Sequence, residues 1–209
     1  MTRFPPYRVI DGFLPADLHA DLLAHTLASE ADFSPTSIRN EGTEGYAAGV
    51  RQSWHCDKAL GPLKERFSAA ITSQRASLRE ALGVPDFAIK YTEFELVAHR
   101  DGAFFRPHLD TFTAANRNPK FGDRVVTMVY YFHAQPRRFA GGALKLFAFA
   151  SEEAIEIDAA DNRLVVFPSF AMHEVLPVSV PGGDAFADAR FAVNIWLNRE
   201  RAAPPQDSE

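Results

Sequence analysis

The stretch FFRPHLDT, residues 104–111, holds a histidine and an aspartate two positions apart in a β-rich run. Side chains two apart on a strand share a face, so His108 and Asp110 could grip one metal ion. Taken alone, a His-x-Asp tripeptide arises often by chance and fits a solvated strand edge equally well. The run is one of eight short β-rich segments, at 89–99, 104–111, 124–133, 143–149, 154–158, 163–167, 173–180 and 190–198. Breaks at Asp101-Gly102, Asn118-Pro119, Gly141-Gly142, Asp161-Asn162, Pro168-Ser169 and Pro181-Gly182-Gly183 have turn chemistry. Eight such runs predict a jelly roll of two packed sheets.

The segment ahead of the β-rich region reads differently. Leu18, Leu22, Leu23 and Leu27 recur at helical spacing over residues 16–29, with Pro15 suited to the first turn. A second apolar stripe, Leu63, Phe67, Ile71, Leu78 and Leu82, ends at Gly83 and Pro85 and predicts a helix over 62–82. The expected organisation is one domain over residues 1–200, with helical support in 1–86, a β core in 87–199 and a disordered tail at 201–209. The expected fold class is mainly β with N-terminal helices.

With 209 residues, 46% of them hydrophobic, the chain has enough apolar side chains for one buried core. Its formal net charge of −5, with basic residues interspersed among acids, gives no footprint for a nucleic-acid backbone. The single cysteine, Cys56, cannot form an internal disulfide, and the opening residues lack the apolar run of a secretory signal. A cytoplasmic location is expected. The most apolar stretch, 143–150, is interrupted by Lys145 and is too short to span a bilayer, so no membrane partner is expected.

His173 opens a later strand, 65 positions after His108 (173 − 108). Two imidazoles and one carboxylate on one side of a metal leave open positions, the facial arrangement of non-haem Fe(II) oxygenases. The alternative for His173 is a local hydrogen bond at a strand start. Arg190 follows a stretch with no Lys or Arg since Arg163 and begins the alternating run RFAVNIWLN. A buried guanidinium there would bind the far carboxylate of a dicarboxylic cosubstrate through two donors. An exposed arginine paired with Asp184 or Asp188 is the other reading.

Taken together, these residues resemble a known family. HRDGAFFRPHLD is similar to the aromatic-x-x-Gly-x-x-aromatic-x-x-His-x-Asp pattern of the prolyl-4-hydroxylase-like branch of the Fe(II)/2-oxoglutarate dioxygenases. RVVTMVYYF with GGALKLF looks like the next two strands, and VVFPSFAMHEVLPV with RFAVNIW resembles the closing half. The resemblance implies a double-stranded β-helix, the cupin-like jelly roll. It implies His108, Asp110 and His173 as iron ligands and catalytic centre, and Arg190 and Tyr131 as partners of the distal carboxylate of 2-oxoglutarate. Thr127 and Val129 share a strand face with Tyr131 and would line the same pocket.

The implied cofactors are Fe(II), 2-oxoglutarate and O2, with ascorbate in support. The implied reaction is hydroxylation of an unactivated C–H bond, yielding succinate and CO2. Asp110 argues against halogenation, which needs the carboxylate position vacant. The substrate is a prolyl residue of a protein or a small amino-acid-like molecule. Two departures stand out. His99 and Phe105 occupy the two aromatic positions of the pattern, so His99 either replaces a cosubstrate-binding hydroxyl or faces elsewhere. The gap from His173 to Arg190, 17 positions (190 − 173), leaves residues 181–189 as a lid or a passive insertion.

Arg51, Gln52, Trp54, His55, Arg106, Arg117, Lys120 and Arg124 form a candidate cluster for an anionic substrate. Two rival classes use the same ligands: a non-catalytic cupin-like module that binds metal or a carboxylate, and an enzyme holding another divalent metal without a cosubstrate.

Overall fold

In the computed structural model, which describes residues 2–36, 38–40, 43–45, 49–111, 122–183 and 185–201, two antiparallel sheets face each other as a jelly roll. The larger sheet runs β1 (Arg8–Asp11), β13 (Arg163–Pro168), β9 (Asp123–Phe132), β16 (Arg190–Arg199), β7 (Ile89–His99), β6 (Trp54–Cys56) and β2 (Phe33–Pro35). The smaller runs β12 (Ala154–Ile157), β11 (Leu144–Phe147), β14 (His173–Val175), β8 (Phe104–His108) and β5 (Arg51–Gln52). Two further pairs join β10 (Ala140–Gly141) to β15 (Val178–Ser179), and β3 (Ile38–Asn40) to β4 (Thr43–Gly45).

The strict alternation along β9, β16 and β7 creates two separate interiors. On one face Met128, Tyr130, Phe132, Val193, Ile195, Leu197 and Leu96 pack against the helices α1 (Ala16–Ala28) and α2 (Lys64–Leu82). On the other face Tyr131, Val129, Ala192 and Val97 meet Leu144, Leu146 and Ile157 of the smaller sheet. The apolar stripes of the helices match the first face: Leu18 and Leu22 from α1, and Phe67, Ile71, Leu78 and Leu82 from α2, are buried there. Phe67 stands edge-on to Phe94 at 5.9 Å and to Tyr130 at 5.6 Å. Gly83 adopts φ 62°, and left-handed closure lets Val84 N–H reach the carbonyl of Arg79.

Several boundaries differ from expectation. The segment before residue 87 contributes β1, β2, β5 and β6 to the sheets as well as the two helices. Strand β8 stops at His108, and Asp110 sits in the bend that follows, tied by its N–H to the carbonyl of Ser169 at 3.1 Å. The run 173–180 is broken at Leu176-Pro177 into β14 and β15, because Pro177 has no N–H for a ladder. Within 181–189, Phe186 is buried against Phe33 at 4.9 Å and Phe191 at 5.1 Å, which pins this loop to the helix-side core. The Asn118-Pro119 turn, Asp184 and the tail from residue 202 lie outside the described residues. Among the described residues, no helix is long and apolar enough to cross a membrane.

Phe67 is fully buried where α2 meets the sheet. Phe67→Ala is expected to lower unfolding free energy by about 3–5 kcal/mol, measured by urea denaturation, because the two aromatic neighbours cannot close the cavity.

Candidate active site

His108 and His173 are direct cross-strand partners where β8 pairs with β14, and their ring centroids are 4.1 Å apart. Each ring is turned the same way by its own backbone. Nδ1 of His108 bonds the carbonyl of Arg106 at 2.7 Å, and Nδ1 of His173 bonds that of Ala171 at 2.9 Å. A carbonyl only accepts, so each Nδ1 carries a proton, and the Nε2 atoms are the ones turned toward Asp110. Phe105 stacks on His108 at 3.5 Å, and Phe167 meets His173 edge-on at 4.8 Å.

Asp110 completes the group. Its Oδ1 is 3.8 Å from His108 Nε2 and its Oδ2 is 3.6 Å from His173 Nε2; one ligand atom from each of the three residues lies within 4.8 Å of the others. Thr127 donates its hydroxyl to Asp110 Oδ2 at 2.7 Å and lies 2.9 Å from the Ser169 hydroxyl. Burial, with the neighbouring His173, pushes His108 down to about 3, so its imidazole is neutral at ordinary pH. Burial alone would raise Asp110, but the adjacent His173 and His108 outweigh it and hold the carboxyl below its usual range.

From this corner a cavity of about 470 Å³, open mouth included, extends between the sheets. Register sets its floor. Arg190 lies opposite His99, Ala192 opposite Val97 and Asn194 opposite Glu95 across β16 and β7, while Tyr131, Val129 and Thr127 follow on β9. Arg190 is 1% exposed, and among the described residues no carboxylate pairs with it. Its Nε and Nη1 have no hydrogen-bond partner, and neither has the hydroxyl of Tyr131, over whose ring the guanidinium sits at 5.0 Å. Desolvation pushes Tyr131 up and Arg190 down, each partly offset by the other. The space for Arg190 depends on Gly142: a Cβ there would stand 2.9 Å from Arg190 Cδ and 2.8 Å from Val178 Cγ2.

All eight expected site residues border this one cavity: His108, Asp110, His173, Arg190, Tyr131, Thr127, Val129 and His99. The hydroxyl of Thr127 goes to Asp110. Among the described members of the candidate cation cluster only Arg51 reaches the cavity, and its charge is met by Glu95 at 3.2 Å. Arg124 is held by Glu93 at 2.7 Å and covers the Trp196 ring at 3.8 Å, His55 pairs with Asp57, and Arg106 lies over Phe104. The described members of the cluster therefore do not converge; Arg117 and Lys120 lie outside the described residues. Sequence reasoning missed Glu95, Asn194 and Gly142. Asn194 donates to Glu95 at 2.9 Å, completing a half-buried pair with Arg51. The period-2 pattern that placed Tyr131 would also have put Glu95 on the face of His99 and Asn194 on that of Arg190.

Comparison with known proteins agrees with this geometry. Residues 94–198, half of the chain, match the 2OG-Fe(II) oxygenase superfamily. An uncharacterized PKHD-type hydroxylase of Synechocystis sp. is 25% identical over 202 residues, which cover 93% of this chain and 63% of that one. The chain thus spans less than two thirds of that relative's length. A prolyl-4-hydroxylase of Pseudomonas putida is 25% identical with a TM-score of 0.66, over 93% of this chain and 92% of that one. The fold is also similar to that of a Trichoplax adhaerens prolyl hydroxylase solved with a hypoxia inducible factor peptide fragment, at 20% identity and a TM-score of 0.69, over 94% and 84% of the chains. The two-histidine, one-carboxylate group, the buried arginine across the cavity and the match along the sheets that carry them give one conclusion: the chain belongs to the 2OG-Fe(II) oxygenase superfamily.

Proposed function

We propose that this protein is an Fe(II)- and 2-oxoglutarate-dependent dioxygenase that hydroxylates an unactivated C–H bond, of a prolyl residue in a polypeptide or of a small amino-acid-like molecule. The observation that carries the reading is Arg190: a fully buried guanidinium without a carboxylate among the described residues, in the same cavity as a two-histidine, one-carboxylate group. A buried cation left unpaired is costly, and a dicarboxylate ligand removes that cost. The names of the relatives support the hydroxylase class. We place the reaction in the cytoplasm, in keeping with Fe(II) chemistry and with a single buried cysteine, Cys56.

In this reading His108, Asp110 and His173 hold the iron. Bound there, Fe(II) with 2-oxoglutarate and O2 supplies the oxidising power for hydroxylation, with succinate and CO2 as by-products. Asp110 contributes the one protein charge at the metal, and Thr127 fixes which way that carboxylate points. Arg190 and Tyr131 receive the distal carboxylate with donors otherwise unused. Val129, Leu144 and Val175 give the same cavity apolar walls, which would exclude water from the bound cosubstrate. Arg51, Glu95, Asn194 and Trp196 face the remaining space, where a substrate is oriented.

The deciding experiment is anaerobic titration of the Fe(II)-loaded protein with 2-oxoglutarate, followed by its visible charge-transfer band. The band should need His108, vanishing in His108→Ala, and Arg190→Ala should weaken binding by roughly 30- to 1,000-fold, the cost of unpairing a buried charge. Iron-loaded protein with no band would overturn the cosubstrate assignment and favour a metal-binding module. Thr127→Val, which keeps shape but removes the donor, is expected to reduce Fe(II) affinity by roughly tenfold or more, read by competition with a chelator. Gly142→Ala should raise the 2-oxoglutarate Kd by roughly tenfold, in line with an overpacking penalty of about 1–3 kcal/mol, while Fe(II) affinity stays unchanged.

A further inference from the structure

Once the metal corner and Arg190 are assigned, one guanidinium and one carboxylate of the cavity remain, those of Arg51 and Glu95. They lie 3.2 Å apart, with side chains 11% and 24% exposed. Both are held in place. Arg51 Nε donates to Ser53 Oγ at 2.7 Å, and that hydroxyl donates to Thr36 Oγ1 at 3.1 Å, both residues being buried. Asn194, facing Glu95 from β16, donates to its Oε2. Burial alone would raise Glu95, but Arg51 and Asn194 outweigh it and keep the carboxyl below its usual range, hence ionised. A largely buried ion pair is no more stabilising than an apolar pair of similar volume, so packing does not account for this one.

Nor is the pair saturated. Arg51 spends Nε on Ser53 and Nη2 on Glu95, and its Nη1 has no partner among the described residues. Asn194 gives its amide N–H to Glu95, while its Oδ1 accepts from none of the described residues. The wall thus offers donors on a cation beside acceptors around an anion. Its distance from the metal corner limits what can use both. The guanidinium lies over the Phe105 ring at 5.0 Å, and that ring stacks on His108 at 3.5 Å. A group bound to Arg51 is therefore only a few bonds from the carbon presented to the metal. A polypeptide segment brings neutral amides to such a place, whereas the two charged ends of a free amino acid lie next to its reactive carbons. We propose that the substrate is a free α-amino acid, its carboxylate held by Arg51 and its ammonium group by Glu95 and Asn194. This inference rests on the proposed hydroxylase function. Charges set against charges fix the orientation of the molecule and reject neutral competitors.

The test titrates the anaerobic Fe(II)–2-oxoglutarate complex with each proteinogenic amino acid, and with its N-acetyl and C-terminal amide forms, following the charge-transfer band and, in air, succinate release. The expected result is that at least one free amino acid shifts the band and raises succinate release. Blocking either charged end should raise its Kd roughly tenfold or more, the loss of a hydrogen bond between charged groups. In Arg51→Gln the free acid and its amide should bind alike, and in Glu95→Gln the free amine and its N-acetyl form should bind alike, a pattern that general distortion of the fold does not produce. A wild-type complex that forms the band but responds to no free amino acid, or that binds the blocked forms as tightly, overturns the inference and favours a polypeptide substrate, with the cosubstrate reading intact. Folded variants that keep the wild-type preference overturn it equally. If iron-loaded wild type shows no band, the cosubstrate reading falls and the inference falls with it.

Discussion

Strands β9 and β16 and the C-terminal end of β7 are buried on both faces, and the two faces must satisfy different surroundings. Against the helices, every second residue is apolar: Met128, Tyr130 and Phe132 on β9, and Phe191, Val193, Ile195 and Leu197 on β16. The intervening residues line the cavity and include Arg190, Tyr131, Thr127, Asn194 and His99. A one-residue slip of any of these strands would drive a guanidinium or imidazole into the helix-side core and turn a Phe or Ile toward the metal corner. The apolar face therefore locks the register of the polar one. Docking of α1 and α2 is in this sense part of the site, although neither helix supplies a residue to it.

Charge is distributed along the cavity with the same economy. At one corner Asp110 stands between two imidazoles, that of His108 held neutral by burial. At the other end Arg190 is buried without a counter-ion among the described residues. Between them Arg51 and Glu95 neutralise each other, and Asn194 takes up one carboxylate oxygen. A metal cation and an organic dianion are the complements of these two ends, and the middle pair is internally balanced.

Much of this was legible before folding. The motif around His108, the later histidine, the lone Arg190 after a stretch without basic residues and the period-2 texture from residue 87 onward all pointed to the jelly roll and to one cavity. The N-terminal strands were not legible, because two- to four-residue runs such as Arg51–Gln52 and Trp54–Cys56 are too short to display alternation. Nor was the termination of β8 at His108. Asp110 reaches the histidines through a bend anchored to Ser169, so the two-residue spacing works here for a reason other than strand pleat. The cation cluster misled because proximity in sequence says nothing of pairing, and Glu93, Glu95 and Asp57 had already claimed Arg124, Arg51 and His55.

By itself, then, the sequence determined which chemistries were available: two imidazoles, one carboxylate and one guanidinium at spacings that strands could bring together, on a period that separates an apolar face from a polar one. Tertiary structure alone decided that His108 and His173, 65 positions apart (173 − 108), are cross-strand neighbours, that Thr127 serves Asp110, and that Arg190 has room only because Gly142 lacks a side chain. The physical reason is that side-chain types and local periodicity are encoded residue by residue, whereas ligand geometry and desolvation depend on pairing between distant strands, which the burial of both faces of the larger sheet selects.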